Sequence, residues 1–246
     1  MAAAQGNALG KLGKLTELRQ RIFFVIGALV VFRLGSFIPV PGVNPEAMTN
    51  LVNGNGLMDM FNMFSGGALE RFSVFALGVI PYISASIVFQ MMGAVVPSLQ
   101  SLRKEGEAGK RKMTMYTRYA TVALAAFQSF GIAVALQGQV AAGGAPVVYT
   151  PGFGFIFSSV VGLTAGTMFL MWLGEQMTER GVGNGISLLI FAGIVAGLPG
   201  AVVHTLGMAS NGELSLIKLL MVFGLALAVT AFVVFMERAQ RRITVN

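Results

Sequence analysis

The residue types that most often carry out catalysis or bind metals are scarce in this chain of 246 residues. There is no cysteine, which excludes thiolate metal sites, redox chemistry and disulfides. The single histidine, His204, lies near the end of an apolar segment, and one imidazole without partners forms neither a zinc site nor a catalytic dyad. No apolar segment holds a pair of carboxylates or a nucleophile with a base. The sequence therefore predicts a protein that is not an enzyme and that carries no metal or cofactor.

Two further features have the residue types for binding chemistry. The string GVGNG at 181–185 superficially suggests a phosphate loop, but it follows a predicted helix and no Lys-Ser/Thr pair comes after it. We interpret it as a turn in which Asn184 caps the next helix. Arg33 lies within an apolar segment, where a charge often marks a functional site. Because Arg33 is near one end of that segment, we expect an anchoring role, by snorkelling or by pairing with a loop carbonyl.

Long apolar segments must position these residues, since 55% of the chain is hydrophobic and 11% is charged. Four segments, 72–102, 119–174, 181–212 and 219–236, contain no charged residue, and a membrane-spanning helix needs about 20 such residues. The second segment fits two helices, separated by glycines and prolines within 137–152. Barrel strands would alternate polar and apolar residues, so we predict an all-α, polytopic membrane helix bundle. Its six spans are 22–40, 73–96, 116–136, 153–173, 185–206 and 216–236.

The basic residues lie mostly on one side of these six spans. Arg71 and Lys218 fall on the other side, and Arg33 lies within a span. Basic residues concentrate in cytoplasmic loops, so both chain ends are predicted to be cytoplasmic. The net charge of +7 then reports topology and requires no nucleic-acid partner. The first side carries fourteen residues: Lys11, Lys14, Arg19, Arg21, Arg103, Lys104, Lys110, Arg111, Lys112, Arg118, Arg180, Arg238, Arg241 and Arg242.

The first residues resemble a secretory signal in having basic residues before an apolar stretch. That stretch is long, contains Arg33, and continues into FIPVPGV without a small-residue cleavage pattern, which argues against a signal. Leucines three residues apart between Lys and Arg predict an amphipathic helix over 8–21, lying on the inner leaflet.

A short apolar element between the first two spans fits neither a span nor a plain loop. In 57–71, apolar residues at helical spacing extend for only about two turns before Gly66 and Gly67, which cannot cross about 30 Å of hydrocarbon. Such a helix is either a re-entrant or plug element, covered by protein or facing a water-filled cavity, or an amphipathic helix on the outer surface. The pattern alone leaves both interpretations open.

Five long strings along the chain are distinctive. They are VFRLGSFIPVPG, MFNMFSGGALERFSVFALGVIPYISASIVFQ, EGEAGKRKMTMYTRY, GTMFLMWLGEQMTERGVGNGISLLIFAGIVAGLP and FVVFMERAQRRI. These strings resemble the SecY family of protein-conducting channels. The resemblance implies a pore of ten spans in two halves of five, in the bacterial inner membrane. Residues 1–21 would be the cytoplasmic N-terminus, 22–206 the first half, and 207–246 the first helix of the second half. We therefore expect this chain to be a truncated one.

The resemblance also implies how such a channel is closed. A ring of aliphatic side chains would narrow the pore at mid-membrane, here Val79 and Ile83 on the second span with Ile186 and Ile190 on the fifth. The second and third spans would form one wall of a lateral gate. The segment 57–71 would be the plug, with a glycine hinge at Gly66 and Gly67. Its core residues are Asp59, Met60, Phe61, Asn62, Met63, Phe64, Ser65, Gly66, Gly67 and Ala68.

Partners follow from the same resemblance. The channel would assemble with SecE and SecG, receive chains from the SecA motor or the ribosome, and contact signal sequences, nascent chains and membrane lipids. Ribosomal RNA would be its only nucleic-acid partner. A secondary transporter is the alternative, but it requires groups at mid-span that bind a coupling ion, and the second, fourth, fifth and sixth spans have no charged residue there. The predicted cytoplasmic contacts are Arg103, Lys104, Lys110, Arg111, Lys112, Arg238, Arg241 and Arg242.

Overall fold

The structure, a computed structural model, describes residues 16–54, 56–141, 144–210 and 216–238. Within these residues there is no strand beyond three isolated bridges, so the prediction of an all-α fold is confirmed. The predicted amphipathic helix over 8–21 lies largely outside the described residues. The described helices are α1 (Thr16–Gly35), α2 (Pro45–Asn53), α3 (Gly56–Phe64), α4 (Ile80–Val95), α5 (Pro97–Lys104), α6 (Glu107–Gln137), α7 (Phe153–Arg180), α8 (Gly185–Ser210) and α9 (Leu216–Arg238).

Four of the described helices, α6 to α9, are long and apolar enough to cross a membrane. They correspond to the last four predicted spans, and they make the chain a multi-pass membrane protein. Helix α1 has 20 residues but carries Glu17, Arg19, Arg21 and Arg33. Helix α4 has only 16 residues. The third helix, α3, has nine residues and is too short to span.

The second predicted span is only partly helical. A helix was predicted from Ser73, but the structure begins α4 at Ile80 and leaves the preceding residues as consecutive turns. Gly78 has φ +58°, which helical residues do not adopt, and Pro81 occupies the first turn of α4, where its missing N–H breaks no helical hydrogen bond. Pro81 therefore lies at the start of this helix and does not bend its middle.

Protein covers this non-helical segment on both sides. The ring of Phe75 stacks between those of Phe32 on α1 and Phe169 on α7, with centroid distances of 6.2 and 5.8 Å. A Cβ on Gly35 would collide with the Phe75 ring, and one on Gly166 would collide with the carbonyl oxygen of Val74. The segment bonds to the chain after α1, because the N–H of Val74 donates to Ile38 O at 3.0 Å. Irregular backbone is tolerated at membrane depth only under such cover.

Helix α6 has a buried face made of small residues. Thr121, Ala125, Ser129 and Ala133 repeat every four residues along α6 and are fully buried, so they form one face of the helix. Helix α7 lies against α6, α4 and α1. Small side chains allow backbones to approach closely in a membrane, where helices gain association energy from packing.

Two segments between the predicted spans are helical. The basic run RKEGEAGKRK contains the end of α5 and the start of α6. The stretch after PVPG forms α2, because the side chain of Asn44 accepts hydrogen bonds from the N–H groups of Glu46 and Ala47 while Pro45 begins the helix. Helix α2 contributes to one of two apolar cores, which includes Val52, Phe72 and Leu163.

The chain divides into two compact units after Ala196. The first contains α1 to α7 and the start of α8, with both apolar cores. The second contains the end of α8 and helix α9. Every side chain that the structure describes on α9 is exposed.

Candidate functional site

The four aliphatic residues predicted to form a ring lie in one apolar cluster, which we call the constriction cluster. Val79 is 7% exposed and belongs to its buried core, whereas Ile83, Ile186 and Ile190 are half-buried and pack against that core. The structure thus brings together residues that are more than one hundred positions apart in sequence. The buried core consists of Ala28, Phe32, Ala68, Phe75, Val79, Leu170, Leu173, Met177 and Leu189.

The start of α4 positions Val79 and Ile83. Val79 is the N-cap residue of α4, and its carbonyl oxygen accepts a hydrogen bond from the N–H of Ile83 at 3.0 Å. This bond closes the first helical turn, so the two side chains lie on the same face of the helix. The late start of α4 therefore leaves the predicted pairing of these residues intact.

The turn between α7 and α8 positions Ile186. The Oδ1 of Asn184 accepts hydrogen bonds from the N–H groups of Ile186 and Ser187 at 3.0 and 3.3 Å, which confirms the predicted cap. Thr178 Oγ1 accepts from the N–H of Gly185 at 2.9 Å and donates to the carbonyl of Gly174 at 2.8 Å. These bonds hold the first turn of α8 against the last turns of α7 and aim Ile186 at the constriction cluster.

The predicted plug consists of helix α3 and a tight turn over 65–70, which we call the plug turn. Asn62 is 8% exposed and organises the turn: its backbone carbonyl accepts from the N–H of Gly67 at 2.9 Å, and its Oδ1 accepts from the N–H of Glu70 at 3.0 Å. Ser65 Oγ donates to the Asn62 carbonyl at 2.9 Å and accepts from the N–H of Leu69 at 3.2 Å. The turn is therefore closed by its own hydrogen bonds.

The turn inserts its small residues between α1 and α8. Arg33 Nη1 donates to the Gly66 carbonyl at 2.7 Å, so the expected pairing of Arg33 with a loop carbonyl is confirmed. Gly66 and Gly67 have φ values of +68° and +82°, and a Cβ on Gly66 would lie 3.0 Å from Gly193 Cα. Ala68 is fully buried in the constriction cluster with Val79.

The rest of the predicted plug is less buried. Met60, Phe61 and Met63 on α3 are between 50% and 59% exposed, so an apolar face of this short helix has no cover within the described residues. Asp59 and Phe64 also lie on α3, but their side chains are outside the described part of the structure. Among the described side chains of 59–68, those that are buried belong to Asn62, Ser65 and Ala68, and the backbone of Gly66 is buried with them.

The predicted partner contacts are at the surface where they are described. Lys104, Lys110, Arg111 and Lys112 are exposed on α5 and α6, and Lys112 pairs with Glu105 at 3.6 Å. Arg238 is exposed at the end of α9. The side chain of Arg103, and all of Arg241 and Arg242, lie outside the described residues.

The constriction cluster offers no group for chemistry. Its buried core contains only apolar side chains. Among the described residues, no group of three or more His, Asp or Glu side chains is placed to hold a metal ion. Sequence reasoning missed Gly193 and the identity of the Arg33 acceptor, since both depend on contacts between distant segments. What the arrangement offers is an apolar cluster beside a hydrogen-bonded turn.

The amino-acid sequence is similar to those of known proteins. A family model described as SecY matches residues 73–246. Curated relatives described as protein translocase subunit SecY are 58% identical in Buchnera aphidicola, 57% in Escherichia coli and 52% in Pseudomonas aeruginosa. These alignments cover 95%, 95% and 99% of this chain but only 66%, 53% and 54% of the relatives. The chain thus spans between half and two thirds of the length of the curated relatives that it matches.

Two solved structures share the fold. The channel in the canine ribosome–channel complex from the endoplasmic reticulum aligns over 93% of this chain and 50% of its own, with a TM-score of 0.65 at 15% identity. A structure described as that of a protein conducting channel aligns over 72% of this chain and 36% of its own, with a TM-score of 0.52 at 14% identity. At such low identity the likeness concerns the backbone fold alone.

Proposed function

Because the chain belongs to the SecY family, we propose that it forms the N-terminal part of the central, pore-forming subunit of a protein translocation channel. The channel conducts unfolded secretory polypeptides across the membrane and releases membrane proteins sideways into lipid. The observation that carries the proposal is the constriction cluster, in which Val79, Ile83, Ile186 and Ile190 meet beside the plug turn.

An apolar constriction suits a pore that must stop ions and still pass a peptide. A narrow ring of aliphatic side chains holds no stable column of water, so it blocks ions by dewetting. Aliphatic side chains change rotamer readily and make no directional bonds, so they close around a passing chain of any sequence. The three isoleucines are only half-buried by this chain, which leaves part of each side chain to face a pore.

The plug turn adds a second barrier. Ala68 packs into the constriction cluster, and Gly66 and Gly67 are glycines at positive φ, which other residues rarely adopt. In the proposed mechanism the turn leaves this position when a polypeptide enters, and the glycines supply the hinge.

A secondary transporter for a small solute is less consistent with the cluster. Such proteins bind a coupling ion or solute through polar or ionisable groups near the bilayer midplane. The buried core of the constriction cluster contains only apolar side chains. The guanidinium of Arg33 donates a hydrogen bond to the backbone carbonyl of Gly66. The pore is therefore the function that we propose.

The proposed location is the bacterial inner membrane, with both ends of this chain in the cytoplasm. The exposed basic residues of α5 and α6 then face the ribosome or SecA, and we propose SecE and SecG as stable partners. The solved channel complex with a ribosome supports the ribosome as one source of substrate chains. Copurification of the full-length channel with SecE and SecG is the expected result, and a channel isolated without SecE would contradict it.

The test of the proposed function is conductance across planar bilayers, in a full-length channel that carries these residues. The double change Ile83→Ser and Ile190→Ser places hydroxyls where aliphatic groups exclude water, so the resting channel is expected to leak ions. Translocation of a secreted substrate should persist, because no catalytic group is changed. The control is Val88→Ser with Val195→Ser, which alters exposed positions on the same two helices. A serine pair as tight to ions as the parent would refute the constriction.

Deletion of 59–68 tests the plug separately. The deletion is expected to raise resting conductance as well, but less durably than the serine pair, since neighbouring residues of the same loop refill the vestibule. A permanently sealed channel after deletion would show that the plug segment is not a barrier.

A further inference from the structure

One residue of the plug turn, Gly66, contacts two separate helices, α1 and α8. On one side, Arg33 Nη1 of α1 donates to the carbonyl oxygen of Gly66 at 2.7 Å. On the other side, the backbone of Gly66 lies against Gly193 of α8, where even a Cβ would be 3.0 Å from the Gly193 Cα. We infer that Arg33 is a latch that holds the plug turn in its seat between α1 and α8, and this inference rests on the proposed function.

The Arg33 guanidinium bonds to an acceptor outside its own helix. An arginine in the last turn of a helix ordinarily interacts with the free carbonyls of its own helix end. Here the carbonyl of Arg33 accepts from Ser36 Oγ at 2.7 Å, whereas the guanidinium reaches a carbonyl 33 residues away. The side chain thus bonds to the plug turn rather than to its own helix.

The aromatic ring of Phe37 lies beside the guanidinium of Arg33. Arg33 Cζ lies 5.0 Å from the centroid of the Phe37 ring, and Arg71 Cζ lies 4.3 Å from the same centroid. Both distances are within the range of cation–π attraction. Arg71 directly follows the plug turn, so the Phe37 ring connects the end of α1 to the far end of that turn. Phe37 thereby supports Arg33 in the orientation that reaches Gly66.

The geometry at Gly66 makes the latch conditional on closure. In the closed arrangement its carbonyl accepts the hydrogen bond from Arg33 while its backbone lies against Gly193. Displacement of the turn separates the carbonyl from the guanidinium and removes Ala68 from the constriction cluster at the same time. The hydrogen bond therefore opposes opening without obstructing the open pore.

The test uses Ala68→Cys as a reporter, in a full-length channel from which all other cysteines are absent. Ala68 is fully buried in the closed arrangement, so its thiol reacts slowly with an impermeant maleimide. Removing the guanidinium with Arg33→Gln deletes a hydrogen bond to a charged donor, and we expect the labelling rate to rise about tenfold. The matched control is Arg21→Gln, an exposed arginine on the same helix that pairs with Glu17, for which the rate should stay unchanged.

A second variant separates the loss of the hydrogen bond from a folding defect of the first variant. Arg33→Met keeps a long apolar stem without any hydrogen-bond donor, and it should also raise the labelling rate about tenfold, with a parallel rise in resting conductance. A labelling rate that stays within about twofold of the parent in either folded variant would overturn the latch. The result is separable from the pore assignment: if the serine pair at Ile83 and Ile190 fails to leak while Arg33→Gln still speeds labelling, the pore is refuted and the latch stands.

Discussion

Arg118 on α6 binds Glu175 on α7 through two parallel hydrogen bonds, from Nε to Oε1 at 3.1 Å and from Nη2 to Oε2 at 2.6 Å. The side chain of Glu175 is 15% exposed, whereas that of Arg118 is 46% exposed. This bidentate pair joins two helices that pack against each other. Because Glu175 is the more buried partner, we expect the loss of Arg118 to cost more stability than the loss of Glu175.

We predict that Arg118→Gln destabilises the protein more than Glu175→Gln. The first change leaves a mostly buried carboxylate without its cation, whereas the second leaves a guanidinium that water can reach. A double-mutant cycle measured by thermal unfolding in detergent should give a coupling of about 1 kcal/mol. The control pair Glu17 and Arg21, exposed and one turn apart on α1, should couple by about 0.3 kcal/mol. Equal coupling in the two pairs would show that burial adds nothing to the interhelical one.

Gly66→Ala is predicted to be more damaging than Gly67→Ala. Both glycines have positive φ, so alanine costs roughly 1 kcal/mol at either position. A Cβ on Gly66 also meets the backbone of Gly193 at 3.0 Å, whereas one on Gly67 has nothing within 4 Å. Resting conductance should rise clearly only for Gly66→Ala, because only that change pushes the turn out of its seat. Identical conductance in the two variants would contradict the close seat.

Ribosome binding by the full-length channel is predicted to depend on Lys110 and Arg111. Both are exposed near the start of α6, and each cation that pairs with a phosphate contributes about one to the log–log salt slope, so losing both should make it less steep by about two. Cosedimentation of Lys110→Gln with Arg111→Gln over a salt series measures this slope. Lys218→Gln, an exposed charge predicted to face the other side of the membrane, is the control. If the control weakens binding as much, the docking surface is misplaced.

Sidedness is predicted to differ between Ala108 and Thr150. Both residues are exposed, the first near the start of α6 and the second just before α7. Because this chain contains no cysteine, single Ala108→Cys and Thr150→Cys variants can be labelled with impermeant reagents. We expect the first to react only from the cytoplasmic side and the second only from outside. Reaction of both from one side would refute the six-span topology.

The sequence was sufficient for features that depend on local composition. The long charge-free segments predicted α6 to α9, because a helix that lies in lipid must be apolar over a continuous length. The cap at Asn184 was also predictable, since an Asn side chain bonds to N–H groups only two or three residues further on. The short length of α3 followed from the glycines that come after it.

The sequence was misleading where apolar character and helical structure separate. Residues 73–79 are as apolar as the helix that follows, so hydropathy alone extended α4 to Ser73. Gly78 and Pro81 were the available signals for a later start, but neither forbids a helix by itself. Helix α2 was missed although Asn44 and Pro45 are a typical helix start, because the proline-rich stretch before it reads as a turn.

The amino-acid sequence by itself determined that this chain crosses membranes as helices, because that property is a sum over neighbouring residues. The family resemblance singled out Val79, Ile83, Ile186 and Ile190, but composition and spacing did not distinguish them from other aliphatic residues. Only the tertiary structure decided that these four meet in one cluster and that Arg33 bonds to Gly66 rather than to any other carbonyl. Such contacts join residues from separate helices, and their partners depend on how close the backbones of α1, α4 and α8 approach, which no local pattern encodes.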